Sequence, residues 1–253
     1  MSRIAKAFEH KKALIAFVTG GDPDLETTQN LIITLAESGV DLIKIGIPFS
    51  DPVAAGPLMQ VADERALANG CTVDQLFEMV KRVRMIVDIP LLFMTYANPV
   101  FAYGKERFMK NCQACGIDGV IVPDLPFEEK DELASECRQY EITQIAMIVP
   151  ASKTRIETIA KEAEGFIYCL CSSEDPDMPS TIANMIDQVK QTSAMPCAVH
   201  LEDSTLEQAH QLSEISDGLI IGNAIVELVT KHGRNSIEPV KQYLQDVKLA
   251  MGK

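Results

Sequence analysis

The amino-acid sequence predicts an α/β fold of the (β/α)8 barrel class, with residues 1–253 forming one domain. Short apolar runs alternate with helical patterns along the whole chain. No low-complexity segment or linker interrupts this alternation, and roughly 250 residues is a common size for a single α/β barrel. Apolar residues make up 47% of the chain, which is enough to fill a large core.

Eight runs are predicted to be strands because each is dense in Val, Ile, Leu and Phe without strict polar alternation. That composition is typical of parallel strands covered on both faces. Helical patterns such as Leu25–Glu37 and Phe127–Cys137 lie between them. An open, doubly wound sheet is the competing architecture. The predicted strands are Ala13–Thr19, Leu42–Ile47, Pro90–Thr95, Gly119–Val122, Ile142–Val149, Gly165–Cys171, Pro196–Leu201 and Gly218–Ile221.

Charge and cysteine usage exclude several classes of function. A net charge of −13 argues against nucleic acid or an anionic membrane as the main partner, because either would need a basic face. No run approaches the ~20 apolar residues of a membrane span. Seven scattered cysteines form no disulfide framework and favour a reducing, cytoplasmic location. The Cys112-x-x-Cys115 pair lies in a helical pattern without further metal ligands nearby, which favours a buried structural role.

In a barrel, chemistry is expected on the loops that follow the carboxyl ends of the strands. The loop after the second predicted strand reads GIPFSDPVAAGP over residues 46–57. Other segments that follow predicted strands are FVTGGDP at 17–23, MTYANPVF at 94–101, VPDLPFEE at 122–129 and IGNAIV at 221–226. In order and spacing, these segments resemble the tryptophan synthase alpha subunit family over nearly the whole chain.

The resemblance implies a barrel that cleaves indole-3-glycerol phosphate by a retro-aldol reaction and passes indole to a PLP-dependent beta subunit. It also implies two catalytic carboxylates, a Glu at the end of the second strand and an Asp just before the Gly-Pro. This sequence has Lys44 and Ala55 at those positions. No catalytic residue of the family mechanism is therefore expected, nor any metal or cofactor bound to the barrel.

The phosphate site implied by the resemblance is altered as well. Family members are expected to hold phosphate with backbone N–H groups of glycine-rich loops, since a side chain would block close approach of the backbone. Here the loop after the sixth predicted strand lacks glycine and contains Glu174, Asp175 and Asp177. Gly222 is retained after the eighth strand, but Asn223 replaces a serine. Weak or absent binding of the phosphorylated substrate follows.

Two groups of residues are predicted to carry whatever function remains. One is a pocket for a small-molecule ligand at the barrel mouth, and the other is a surface for a beta-type tryptophan synthase subunit. The pocket candidates are Phe17, Thr19, Lys44, Tyr96, Tyr168, His200, Glu202, Gly222 and Asn223; the partner-contact candidates are Pro48, Asp51, Pro52, Asn98 and Asp124.

The leading functional hypothesis is a non-catalytic homologue with a binding or regulatory role. An alternative is a lyase, either the family's own cleavage reaction through replacement residues or aldolase chemistry in which Lys44 forms a Schiff base. Lys44 is otherwise expected to pair with an acid such as Glu202. His200 is a candidate general base or a locally packed histidine, and the acidic loop at 174–177 is a candidate cation site or a solvated segment.

Overall fold

The computed structural model describes residues 2–9, 12–172, 175–201 and 205–252 as a barrel of parallel strands surrounded by helices. All the paired strands run parallel to one another. This arrangement confirms the predicted (β/α)8 class. The strands are β1 (Ala13–Thr19), β2 (Leu42–Gly46), β3 (Leu91–Met94), β4 (Gly119–Ile121), β5 (Thr143–Gln144), β6 (Ala146–Ile148), β7 (Ile167–Cys169), β8 (Cys197–Leu201) and β9 (Gly218–Ile221).

Helices follow the strands and cover the outer face of the barrel. Some of them begin at a side chain that caps the first turn. For example, the Asp24 side chain accepts a hydrogen bond from the Thr27 backbone N–H, and Thr72 and Gln75 form a reciprocal capping box. The helices are α1 (Arg3–Ala7), α2 (Leu25–Glu37), α3 (Pro57–Ala68), α4 (Val73–Arg84), α5 (Ala97–Tyr103), α6 (Lys105–Cys115), α7 (Asp131–Gln139), α8 (Lys153–Glu162), α9 (Met178–Lys190), α10 (Leu206–Ile215), α11 (Asn223–His232) and α12 (Ile237–Ala250).

The barrel closes through the segment that contains β5 and β6. The strand order is β5-β4-β3-β2-β1-β9-β8-β7-β6, and only Ile145 separates the two ends along the chain. The backbone N–H of Ile145 still donates to the Val120 carbonyl at 2.9 Å. The predicted fifth strand, Ile142–Val149, is therefore divided: its first part pairs with β4 and its second part with β7. Nine strand segments therefore occupy the eight strand positions of the barrel, because β5 and β6 share one position.

The two largest apolar clusters of the described residues lie on the two sides of the barrel wall. The larger core packs the helices against the outer faces of the strands. The smaller one fills the barrel interior, where Ile4 and Ala7 of α1 close the end at which the strands begin. Alternation along β1 and β2 places Ile15 and Leu42 inside, as expected for strands with a side-chain period of two.

Two helical predictions can be compared with the structure. Helix α2 has the predicted bounds, Leu25–Glu37. The predicted helix Phe127–Cys137 is instead a 3-10 turn at Phe127–Glu129 followed by α7. Cys112 and Cys115 are both buried in α6, where the Cys115 thiol donates to the Cys112 carbonyl and burial raises its pKa to about 11.

Candidate functional site at the barrel mouth

Lys44 is the middle residue of β2, and its side chain lines a cavity at the barrel mouth. The strand register places it beside Phe17 of β1 and Leu92 of β3. Only 1% of the Lys44 surface is exposed to solvent. An amine at this depth has lost nearly all of its hydration, so its properties depend on the few groups that touch it.

Lys44 belongs to a chain of three polar side chains that come from different parts of the barrel. Its Nζ donates a hydrogen bond to the Tyr168 hydroxyl at 3.1 Å and lies 4.3 Å from the centre of the Tyr168 ring. The Tyr168 hydroxyl lies 3.3 Å from Nδ1 of His200. With the imidazole hydrogen on Nε2, Nδ1 accepts from Tyr168, and the three residues form a continuous hydrogen-bonded path.

Burial controls the charge of both ends of this path. Desolvation lowers the pKa of Lys44 to about 7, because the ammonium form is penalised in the barrel interior. Desolvation, followed by the charge of Lys44, lowers the pKa of His200 to about 3. The imidazole is therefore neutral at physiological pH. Within the part of the chain that the structure describes, Lys44 has no ion pair with a carboxylate.

Apolar and aromatic groups form much of the remaining wall. The cavity has a volume of about 840 Å³. Phe17 and Met94 line the same cavity as Lys44, and the Lys44 Nζ is 5.4 Å from the centre of the Phe17 ring. Tyr96 packs against Phe49 with a ring separation of 5.4 Å. A cavity of this size and polarity is typical of a small-molecule site.

The cavity extends from the barrel mouth toward the outer helices at the point where the fifth barrel strand is divided into β5 and β6. It continues past Ile145 to a cleft between α7 and α8 that is lined by Cys137, Arg138 and Glu162. Lys130, just before α7, forms an ion pair with Glu162 at the end of α8. The mouth and this cleft are parts of one cavity, which gives room for a ligand larger than the mouth alone would hold.

Asp63 is a site residue that the sequence analysis missed. It lies on the buried side of α3, is 8% exposed, and lines the same cavity. Burial raises the pKa of its carboxyl to about 7; the Phe49 backbone N–H acts in the opposite direction, and the charge of Asp22 adds to the rise. The sequence feature that could have indicated Asp63 is its position between Ala62 and Ala66, on a helix face that otherwise consists of small apolar residues.

The predicted pocket residues divide into three sets. Those that line the cavity together are Phe17, Lys44, Tyr96, Tyr168, His200 and Asn223. Thr19 is buried at the end of β1, and Gly222 caps the start of α11; neither is among the residues that line the cavity. Glu202 lies outside the described residues, so the suggested Lys44–Glu202 pair stays a prediction. Ala55 lines the cavity just before α3.

In the acidic loop after β7, the carboxylate of Asp175 is used locally. Asp175 accepts hydrogen bonds from the Thr181 hydroxyl at 2.7 Å and the Asp177 backbone N–H at 2.9 Å. Asp177 is the residue that precedes α9. Glu174 lies outside the described residues. Where the structure describes this loop, it presents carboxylates rather than the backbone amides of a glycine-rich turn.

Four of the five predicted partner-contact residues reach the surface. Asp51, Asn98 and Asp124 are exposed, Pro52 is half-buried, and Pro48 is buried. Asp124 also accepts the Ala97 backbone N–H at 2.9 Å and so joins the loops after β3 and β4. The predicted contacts of these five residues with a partner stay predictions.

Comparison with known proteins identifies the family. The sequence model for the tryptophan synthase alpha chain matches residues 4–252. This chain belongs to the tryptophan synthase alpha chain family. The alpha chain from Thermoanaerobacter sp. (strain X514) is 39% identical over 98% of this chain and 99% of its own length. The alpha chain from Bacillus anthracis is 41% identical over 94% of both chains.

Solved structures of the family have the same fold. The tryptophan synthase alpha subunit from Legionella pneumophila superposes with a TM-score of 0.91 and 32% identity, covering 100% of this chain and 99% of its own. A chain of M. tuberculosis tryptophan synthase gives a TM-score of 0.87 and 29% identity, covering 98% and 99%. The family resemblance is thus confirmed. Across the described residues, no helix is both long enough and apolar enough to span a membrane.

Proposed function

We propose that this alpha-family chain acts by binding rather than by cleaving indole-3-glycerol phosphate, and that a beta-type tryptophan synthase subunit is its partner. The observation that carries the proposal is the buried amine of Lys44 at the barrel mouth. The family mechanism, as the resemblance implies it, needs a carboxylate at this position and a second one at Ala55. Alanine offers neither a proton nor a hydrogen-bond acceptor.

Electrostatics supports the same conclusion. Cleavage would develop positive charge on the indole, which neither form of Lys44 stabilises: the neutral amine carries no negative charge to offset it, and the ammonium form repels it. Two like charges 4 Å apart repel by about 4 kcal/mol at an effective dielectric constant near 20. Loss of a positioned acid or base alone slows a reaction by about 10²- to 10⁴-fold. The carboxylates of Asp175 and Asp177 further disfavour a phosphate dianion near α9.

The first test is a direct assay of indole release by the purified chain. We expect a rate at least about a hundredfold below that of an active tryptophan synthase alpha chain, because general acid–base groups contribute on this scale. The double variant Lys44→Glu plus Ala55→Asp, which restores both carboxylates, is the comparison. Comparable rates for the unaltered chain and an active family member would contradict the proposal.

Retained lyase activity is the second candidate function, and Asp63 is the observation that favours it. Its carboxyl lines the same cavity, and its pKa of about 7 suits proton transfer near neutral pH. If the unaltered chain releases indole and Asp63→Asn abolishes this release, Asp63 has taken over a role of the missing carboxylates. Release that survives in Asp63→Asn would point to other groups.

Exposed apolar side chains beside the mouth support the docking part of the proposal. Val53 is 82% exposed next to Pro52, and Phe101 is 42% exposed on α5 near Asn98. Large apolar groups that face water near polar neighbours are typical of contact surfaces. The predicted contact residues lie in the same two loops.

The second test measures how this chain changes the rate at which a beta-type subunit converts indole and serine. We expect Val53→Asp to raise the concentration of this chain that gives half of the maximal rate change at least about tenfold. The new carboxylate must be desolvated on docking, which weakens binding. Met85→Asp is the matched control, since Met85 is 87% exposed after α4, at the opposite end of the barrel. Equal effects of the two substitutions would exclude the mouth as the docking surface.

A further inference from the structure

The Lys44 amine has a chemical capacity that docking does not use. It lines the cavity, it has no carboxylate partner in the described part of the chain, and it donates to a tyrosine hydroxyl 3.1 Å away. The Phe17 and Tyr168 rings lie close to the amine. Burial that lowers the pKa of Lys44 to about 7 leaves a large share of the amine neutral and nucleophilic near physiological pH.

We propose that the mouth cavity binds an unphosphorylated aldehyde or ketone and holds it as an imine on Lys44, with Tyr168 as the proton donor. This inference deepens the proposed function, because it assigns a ligand class to a site that we propose to bind rather than to cleave indole-3-glycerol phosphate. It assigns no further conversion to the bound compound.

The imine forms in two balanced steps. The Lys44 nitrogen attacks the carbonyl carbon, a C–N bond forms, and the carbonyl oxygen takes a proton from the Tyr168 hydroxyl. Tyr168 recovers a proton from the nitrogen, which became cationic on attack. The nitrogen then gives its second proton through Tyr168 to the hydroxyl group, the C–O bond breaks, water leaves, and a C=N bond forms. One amine and one carbonyl compound give one imine and one water, without any oxidant or reductant.

The walls of the cavity select the ligand class. The Phe17 ring lies 5.4 Å from the amine, and Met94 and Tyr96 add apolar surface to the same cavity, which favours a hydrophobic substituent on the carbonyl carbon. Asp63, on the same cavity wall, disfavours an anionic ligand whenever it is ionised. An apolar aldehyde is therefore expected to react in preference to a phosphorylated one.

Two groups that line the cavity change charge near neutral pH, the Lys44 amine and the Asp63 carboxyl. Tyr168 on β7 and His200 on β8 are the titratable side chains in the hydrogen-bonded path. His200 stays neutral because its pKa is lowered to about 3. Asp63 and Tyr96 face the cavity from α3 and from the loop after β3. Reaction at Lys44 is expected to rise as pH increases through about 7.

Reductive trapping tests the proposal on the purified full chain alone. The chain is incubated at pH 7.5 with phenylacetaldehyde and cyanoborohydride, which reduces an imine to a stable secondary amine, and the modified peptides are quantified by mass spectrometry. Lys241 is exposed on α12 and serves as the internal control. We expect Lys44 to be modified at least about tenfold more than Lys241, because the neutral fraction of an ordinary lysine is below about 1% at this pH.

Two comparisons sharpen the result. Glyceraldehyde 3-phosphate is expected to modify Lys44 less than phenylacetaldehyde does. Tyr168→Phe keeps the amine but removes the proton donor, so trapping on Lys44 is expected to slow by on the order of a hundredfold. Lys44→Arg is expected to remove the preferred adduct altogether. Because peptide mapping reports on the unaltered chain, the central result does not depend on whether a variant folds.

Modification of Lys44 no greater than that of Lys241 would overturn the proposal. An unchanged trapping rate in Tyr168→Phe would overturn the role of Tyr168 as proton donor. Neither result involves a beta subunit or indole-3-glycerol phosphate. Failure of the imine proposal is therefore distinguishable from failure of the proposed function, which the indole-release and docking assays test separately.

Discussion

Replacing Lys44 by methionine is expected to raise the free energy of unfolding at pH 7. The ammonium form is penalised in the barrel interior, which is why the pKa of Lys44 falls from 10.5 to about 7. Each pKa unit corresponds to about 1.4 kcal/mol, so a gain of about 2–4 kcal/mol is expected when the charge is removed and the apolar stem is kept. That gain multiplies the folding equilibrium constant by roughly 30 to 1,000.

The pH dependence identifies the cause of this gain. Between pH 7 and pH 10.5 the unfolded chain binds a proton at Lys44 that the folded chain does not, so the stability of the unaltered protein rises with pH over this window. The advantage of Lys44→Met is therefore greatest at pH 7 and below, and it shrinks as pH approaches 10.5. Urea denaturation at several pH values measures it.

A matched substitution at the surface separates this effect from a general preference for methionine. Lys241 is exposed on α12, and Lys241→Met is expected to change the unfolding free energy by less than about 0.5 kcal/mol. If Lys44→Met instead lowers stability at pH 7, the ammonium has a stabilising partner, and a negatively charged ligand or side chain near Nζ becomes the better explanation.

Most barrel strands were predictable from composition because they lie in runs that are dense in apolar residues. Strands β1 and β9 have the predicted bounds, Ala13–Thr19 and Gly218–Ile221. The division at Ile145 was not predictable, since the run 142–149 shows no breaker and the two halves differ only in which neighbouring strand they pair with. Pairing of that kind is set by closure of the whole barrel rather than by local sequence.

The polar path at the mouth was predictable in its members but not in its contacts. The resemblance to the family predicts Lys44, Tyr168 and His200 as pocket residues, because they stand at positions that it assigns to the site. Their direct contact joins β2 to β7 and β8, which are distant in the strand order, and it requires the curvature of the closed barrel. The contact between Lys44 and the Tyr168 hydroxyl was not predicted, because it depends on how the closed barrel brings β2 and β7 together.

Asp63 escaped prediction because no motif marks it. It lies on a helix after the recognisable loop at residues 46–57, and acids on helices are usually solvated. Its importance appears only once α3 is seen to turn Ala62, Asp63 and Ala66 toward the protein interior. The cavity thus contains one buried amine and one buried carboxyl whose pKa values both lie near 7 although they start from opposite ends of the scale.

Asp63→Asn is expected to stabilise the protein above pH 7 with a pH dependence opposite to that of Lys44→Met. The folded pKa of Asp63 is raised from 3.8 to about 7, so the folded chain binds the additional proton between these values, and stability falls as pH rises through this window. The amide removes this penalty and can still accept a hydrogen bond from the Phe49 backbone. Because the carboxyl is partly reached by solvent, a gain of about 1–3 kcal/mol is expected at pH 8.

The advantage of Asp63→Asn should disappear below about pH 4, where the carboxyl is protonated in both states. Glu64→Gln is the matched control, since Glu64 is the exposed neighbour on the same helix and its replacement should have little effect at any of these pH values. A loss of stability in Asp63→Asn at pH 8 would show that the ionised carboxylate is favoured in the fold. The folded protein would then favour the ionised form of Asp63. That result would exclude a role for Asp63 as proton donor near neutral pH.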